Sequence, residues 1–173
     1  MRDVLWGVWQ VLWGCVQSLL GLVVFCGCFL RCGGMEWFWF RGEVVSFWGR
    51  GEGMSLGLFL FLGKEEADRE SGQMRGRRHW CEKALSERTR RMLVHEYGHC
   101  LQSALLGPLY LIVIGIPSFI WCRSKKLEQW RAEKGISYYD LYAERWADAW
   151  AERFFGKKKE NRRDEDEYHL ECK

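Results

Sequence analysis

The stretch His95-Glu96-Tyr97-Gly98-His99 constrains this chain more than any other. On a helix, positions four apart share a face, so His95 and His99 can both point at one metal ion. Glu96 is one step further round. It sits beside such an ion rather than on it, where a general base must be to take a proton from water. The surroundings predict a helix over 86–106. Ser86 is a candidate N-cap, no proline interrupts Glu87 to Leu106, and Gly107-Pro108 stops the helix. Gly98 costs such a helix about 1 kcal/mol against alanine. It also lets another backbone or a substrate come close to the metal.

The rest of the chain must supply the setting for that helix. A length of 173 residues fits one domain with a real core. The apolar residues, 48% of the chain with 11 Trp, are blocked rather than spread, which points to a membrane protein. The net charge of +3 comes from cations matched by acids, so nothing here favours nucleic acid as a partner. Eight cysteines include no C-x-x-C pair and fit neither a zinc ribbon nor a disulfide framework. They read as small apolar residues in a reducing setting or in lipid, with Cys100 pointing away from the metal face.

Residues 1–34 read as a membrane anchor. Val4 to Leu30 carries no charge and is long enough to cross a bilayer as a helix, with Trp6, Trp9 and Trp13 as interfacial anchors. A cleaved signal peptide is the weaker alternative, because the apolar run is too long and Met1-Arg2-Asp3 has no net positive charge. A start at Met35 is a further alternative that removes the anchor, since a G/T-rich non-coding stretch would encode the same Trp, Gly, Cys, Val, Leu and Phe. Residues 36–62 then hold three β-prone runs, Trp37–Phe40, Val44–Trp48 and Leu58–Leu62, separated by Gly42 and by Gly49–Gly53. They predict a small antiparallel meander of two or three strands beside the metal helix. Its edge offers a place for an extended peptide to pair.

Residues 64–83 read as a polar mobile loop, and His79 within it as solvated. Leu101 to Cys122 is apolar but broken by Gly107-Pro108 and Gly115-Ile116-Pro117, and a basic flank, Arg123-Ser124-Lys125-Lys126, follows. A short amphipathic helix over Leu127–Lys134 stops at Gly135. Ser137 and Asp140 form an S-x-x-D capping box that opens a helix over 137–155, closed by Gly156. Residues 157–173 mix charges densely and read as a disordered tail.

Two histidines do not complete a catalytic zinc site, which needs a third protein ligand and an open position. The other histidines, His79 and His169, lie in the loop and the tail, so a carboxylate is the better candidate. Glu144 and Asp148 share one helix face among Tyr142, Ala143, Trp146, Ala147, Trp150 and Ala151. Burying two acids is costly unless they meet a metal or donors. Glu144 on Zn2+, with Asp148 accepting the free ring N–H of a ligand histidine, resolves that cost. Pairing with Arg145 or Arg153 at the surface is the alternative. Tyr138, Tyr139 and Tyr142 are candidate oxyanion donors. A shared site also sets the topology. A straight span between His99 and Glu144 would hold them about 30 Å apart, so 107–122 is expected to form a bent apolar hairpin.

The pair of segments His95-Glu96-Tyr97-Gly98-His99 and Glu144-Arg145-Trp146-Ala147-Asp148 resembles the H-E-x-x-H … E-x-x-A-D pattern of the gluzincin metallopeptidases. It is most similar to the membrane-bound prenyl-protease and heat-shock protease family. The resemblance covers these two motifs, in a chain short for that family and without its four-span membrane body. It implies His95, His99 and Glu144 as zinc ligands, Glu96 as general base and Asp148 as support for a histidine. The stretch from Leu101 to Ser118 also resembles small uncharacterised bacterial proteins, which implies the bacterial inner membrane. The expected fold is α+β, mainly α, a zincin-like domain over 35–156 behind an N-terminal membrane-anchor helix. The expected function is a membrane-associated zinc-dependent metallopeptidase acting on peptide or protein substrates and in contact with membrane lipid. The alternative is a non-enzymatic membrane protein, its metal structural or absent, acting by partner or lipid contact.

Overall fold

The structure, a computed structural model, describes residues 1–32, 34–48, 51–63 and 85–156. The expected loop over 64–83 with His79, and the charged tail with His169, lie outside the described residues. The fold is α+β and mainly helical. Helices α1 (Arg2–Trp13) and α2 (Cys15–Cys32) precede strands β1 (Trp37–Phe40), β2 (Glu43–Trp48), β3 (Met54–Leu56) and β4 (Phe59–Gly63). Helix α3 (Glu87–Leu106) follows, then a short 3-10 turn (Gly107–Leu109), a π-helical turn (Leu111–Gly115), α4 (Ile116–Arg123), α5 (Lys125–Lys134), a second 3-10 turn (Tyr138–Asp140) and α6 (Tyr142–Phe155).

The sheet corrects the expected antiparallel meander. It has four strands in the order β1-β2-β4-β3, and β2 pairs with β4 in parallel. After β2 the chain passes to the edge, forms β3, and turns back through Gly57 into the centre. Strands β1 and β2 make the antiparallel hairpin that Gly42 predicts, with both Arg41 (φ 49) and Gly42 (φ 87) in the left-handed region that a tight primed turn requires. One face of the sheet carries Phe38, Phe40, Val45, Phe47, Leu60 and Leu62 onto Leu93, Tyr97, Cys100 and Leu101 of α3, and this is the main core. Alternation along each strand dictates that face.

The N-terminal block is not one straight helix. It breaks at Gly14, and Ser18 Oγ reaches Gln10 O at 3.0 Å, although eight residues of straight helix would separate them by about 12 Å. Among the described residues, α2 is the single helix long and apolar enough to cross a membrane, and only 17% of its apolar window is buried. The indoles of α1 each reach the rest of the protein, although Trp9 and Trp13 stay 49% and 43% exposed. Trp6 Nε1 donates to Glu43 (2.6 Å), Trp9 Nε1 donates to Ala104 O (3.0 Å), and the Trp13 ring lies against Gly107.

Glu43 is fully buried at the junction of α1, β2 and α3. Gln10 Nε2 bridges its carboxyl (3.0 Å) and Cys100 O (2.9 Å). Burial pushes the Glu43 pKa up to about 8, against the opposing hydrogen bonds from Trp6 and Gln10. The folded state therefore holds a proton that the unfolded state releases near its ordinary value of 4.5. That contribution to stability is complete below about pH 4.5 and is lost as pH rises towards about 8, on the order of 5 kcal/mol in total. Thermal melts across this range are expected to fall with pH in wild type and to flatten in Glu43→Gln. Parallel profiles for the two proteins would exclude Glu43 as the titrating group.

Helix α3 runs as expected. Ser86 caps it by accepting from Thr89 N, and Gly107 (φ 52) ends it. Beyond it the chain bends by 118° between Glu87–Leu109 and Leu111–Arg123, so 101–122 is not one straight helix and the turn lies at Tyr110, between α3 and the limb Leu111–Arg123. The Ser137–Asp140 capping box is present, but it opens the second 3-10 turn rather than α6. Leu141 is extended and α6 starts only at Tyr142, later than the predicted 137. Three tyrosine and aspartate side chains in a row, with competing local hydrogen bonds, favour a turn over a first helical turn.

Candidate metal centre

Helices α3 and α6 meet closely enough to join the two motifs because both are small at the crossing. A Cβ built on Gly98 would lie 2.3 Å from Ala147 O. Ala143, Ala147 and Ala151, one turn apart, are buried to the last few per cent along the same contact. The glycine of the first motif thus admits another backbone, that of α6.

This contact places Glu144 between the two histidines. Its Oε2 lies 3.0 Å from His95 Nε2 and 3.3 Å from His99 Nε2. The ligand atoms of His95, His99 and Glu144 all lie within 4.8 Å of one another. The outer ring nitrogens are held by acceptors. Asp148 Oδ1 is 2.7 Å from His95 Nδ1, and Gln102 Oε1 is 2.7 Å from His99 Nδ1. The Gln102 amide is oriented by its own N–H, which donates to Ala143 O at 2.8 Å. Ser118 Oγ donates to the other Glu144 oxygen, Oε1.

This arrangement fits a cation. With Nδ1–H donated outwards on both rings, the two neutral imidazoles turn bare Nε2 lone pairs towards a carboxylate oxygen. Like lone pairs gather in a buried space only around a shared positive charge, either protons or a metal ion. Two imidazoles and one carboxylate are a donor set that zinc takes in catalytic sites. When protons supply that charge, burial opposes the ionised form of Glu144, yet the charge of His99 and the hydrogen bonds from both protonated rings hold its carboxyl well below the usual range. Burial likewise opposes charge on His95, but hydrogen bonds to Asp148 and Glu144 raise its pKa well above the ordinary value.

Glu96 is buried beside the cluster and does not join it. Its carboxyl is seated against the chain entering β3, since a Cβ on Gly53 would fall 2.2 Å from Glu96 Oε1. Burial raises its pKa above the usual carboxylate value, partly offset by His99 and His95. A carboxyl shifted upwards is a better proton acceptor near neutral pH than an ordinary glutamate. Water can approach from the His95–Asp148 side, where Asp148 is 38% exposed while Glu144 is fully enclosed.

The candidate tyrosines separate. The Tyr139 ring stands edge-on to His95 at 5.6 Å, next to the cluster. Tyr138 is a step behind, its ring edge-on to Tyr139 at 5.3 Å and its carbonyl accepting from Trp121 Nε1 at 2.8 Å. The Tyr142 hydroxyl donates to Val113 O, which ties α6 to the hairpin away from the metal face. Three participants carry weaker sequence signals. Gln102 follows His99 by three residues, so helical spacing could have marked it. Ser118 and Gly53 arrive from distant segments and carry no local signature. No protein-family profile, curated protein or solved structure matches the chain. The class defined by fold and site is therefore an α+β protein with a buried two-histidine, one-carboxylate cluster and a candidate membrane helix.

Proposed function

We propose that this chain is a membrane-associated, zinc-dependent metallopeptidase. One observation carries the reading: three ligand atoms from motifs 45 residues apart converge while both outer ring nitrogens are fixed by acceptors. His95, His99 and Glu144 would hold the ion. Zinc bound there supplies a Lewis acid that polarises a scissile carbonyl and makes water acidic. The chain's own residues supply the rest. Asp148 and Gln102 fix the ring orientations, and Ser118 fixes Glu144. Glu96 takes the proton of the attacking water and passes it to the leaving amine. Tyr139 is the tyrosine best placed to face a developing oxyanion. A buried carboxyl beside the ligands, outside the ligand set, favours an enzyme over a purely structural metal site.

Purified protein is expected to hold near one zinc per chain. Peptide hydrolysis should disappear on chelation and return on zinc addition. A chain that takes up no zinc even after reconstitution would remove the basis of this proposal.

A further inference from the structure

Helices α1 and α2 are polar inside and apolar outside. Their buried positions are Gly7, Gln10, Gly14, Gln17, Ser18 and Gly21, in which glycines recur every seven residues and so do glutamines. The glutamine amides bond α3 and its end: Gln10 reaches Cys100 O, and Gln17 reaches Ser103 Oγ (3.0 Å) and Gly107 O (2.9 Å). Outward, Leu5, Leu12, Leu19, Val23 and Leu30 are 62–80% exposed. Small and polar residues at helix contacts with aliphatic residues facing out suit a hydrocarbon solvent, where packing and interhelical hydrogen bonds replace the hydrophobic effect.

The bent hairpin repeats this polarity. Leu109, Ile112, Ile116, Phe119 and Ile120 are 50–67% exposed, while Tyr110 and Ile114 are buried and Ser118 turns inward to Glu144. Its apolar face is continuous with that of α1, because Trp9 bonds Ala104 O and Trp13 covers Gly107 at the start of the hairpin. Where the hairpin ends, Lys125 and Lys126 are exposed and Trp130 is 44% exposed. Basic and tryptophan side chains together mark a lipid headgroup boundary.

We infer that Leu109–Ile120 is a re-entrant element inserted in the acyl layer of a bilayer beside α1 and α2, with Lys125 and Lys126 at anionic headgroups. The chain enters and leaves on one side. Ser118 touches Glu144 while its neighbour Phe119 faces lipid, so the metal cluster lies about one helix width, roughly 10 Å, from the hydrocarbon. This inference rests on the membrane association proposed above and not on the metal.

The test uses the full chain in vesicles of phosphatidylcholine and phosphatidylglycerol. Nitroxide labels are placed singly through an encoded ketone-bearing residue at Val23, Ile112, Phe119, Arg90 and Lys126, because native cysteines exclude thiol labelling. Labels at Val23, Ile112 and Phe119 are expected to relax several-fold more with oxygen than with a water-soluble nickel chelate. Arg90 and Lys126 should show the reverse, and both should be reduced by ascorbate from the same side. Val23 in lipid with both hairpin labels in water would overturn the inference and leave the anchor standing. Val23 in water would overturn membrane association itself. Hairpin labels shielded from both reagents would assign the face to a second copy or another protein, and ascorbate reaching Arg90 and Lys126 from opposite sides would make the segment a span. Either result overturns the proposal.

Discussion

Glu144→Ala is expected to take zinc from near one per chain to near none and to destabilise the fold. Both histidines and Ser118 address Glu144, and it is fully enclosed. Alanine removes a charged ligand and leaves two imidazoles and a hydroxyl facing a space without an acceptor. Breaking a buried charged arrangement by removing one partner costs about 3–5 kcal/mol. His95→Ala should lose zinc in the same way, since it removes a second ligand and strands Asp148. Asp148→Ala and Gln102→Ala should be milder. They free a ring without deleting a ligand, and losing such support lowers metal affinity about 10–100-fold. Metal analysis of the four variants after identical purification checks this order. Full zinc in Glu144→Ala would show that α6 supplies no ligand, whatever its distance from the histidines.

How much of this was legible in the sequence depended on whether the signal was local. Helix α3 was readable at both ends, since Ser86 and Gly107-Pro108 act on the residues beside them. Glu144 and Asp148 were readable because two acids one turn apart among apolar neighbours are unfavourable without a partner. The bend after Leu106 followed from requiring His99 and Glu144 to meet. The sheet topology was not readable. Strand β3 is three residues long, and its pairing with β4 moves β4 to the centre of the sheet beside β2. A tertiary pairing of that kind leaves no periodicity. The break at Gly14 was masked by an unbroken apolar run. The charge-free run pointed to lipid, whereas Gln10 and Gln17 showed where the run turns inward. Tyr142 was a reasonable oxyanion candidate by proximity in sequence, but the late start of α6 turned its hydroxyl towards Val113.

Glu96→Gln should leave zinc content unchanged and lower kcat by about 10²–10⁴, the range a positioned general base contributes. The zinc half follows from geometry, because Glu96 lies outside the set formed by His95, His99 and Glu144. Glutamine is nearly isosteric, so it can occupy the same space against Gly53, but an amide cannot accept the water's proton. Stability should hold or rise slightly, since burial penalises the charged form of Glu96 and the amide carries no charge. Gly53→Ala tests the same carboxyl from the other side. Its methyl group would fall 2.2 Å from Glu96 Oε1 and force the side chain to swing. It should lower kcat with zinc retained, through displacement rather than loss of the base. The two variants separate position from chemistry: the pH profile of residual activity should shift in Gly53→Ala, where the carboxyl survives in a new environment. In Glu96→Gln the limb assigned to that carboxyl should vanish. Peptidase activity in Glu96→Gln equal to wild type would place the base elsewhere. Loss of zinc in the same variant would mean that Glu96 reaches the ion, and the division of roles between ligand and base would have to be redrawn.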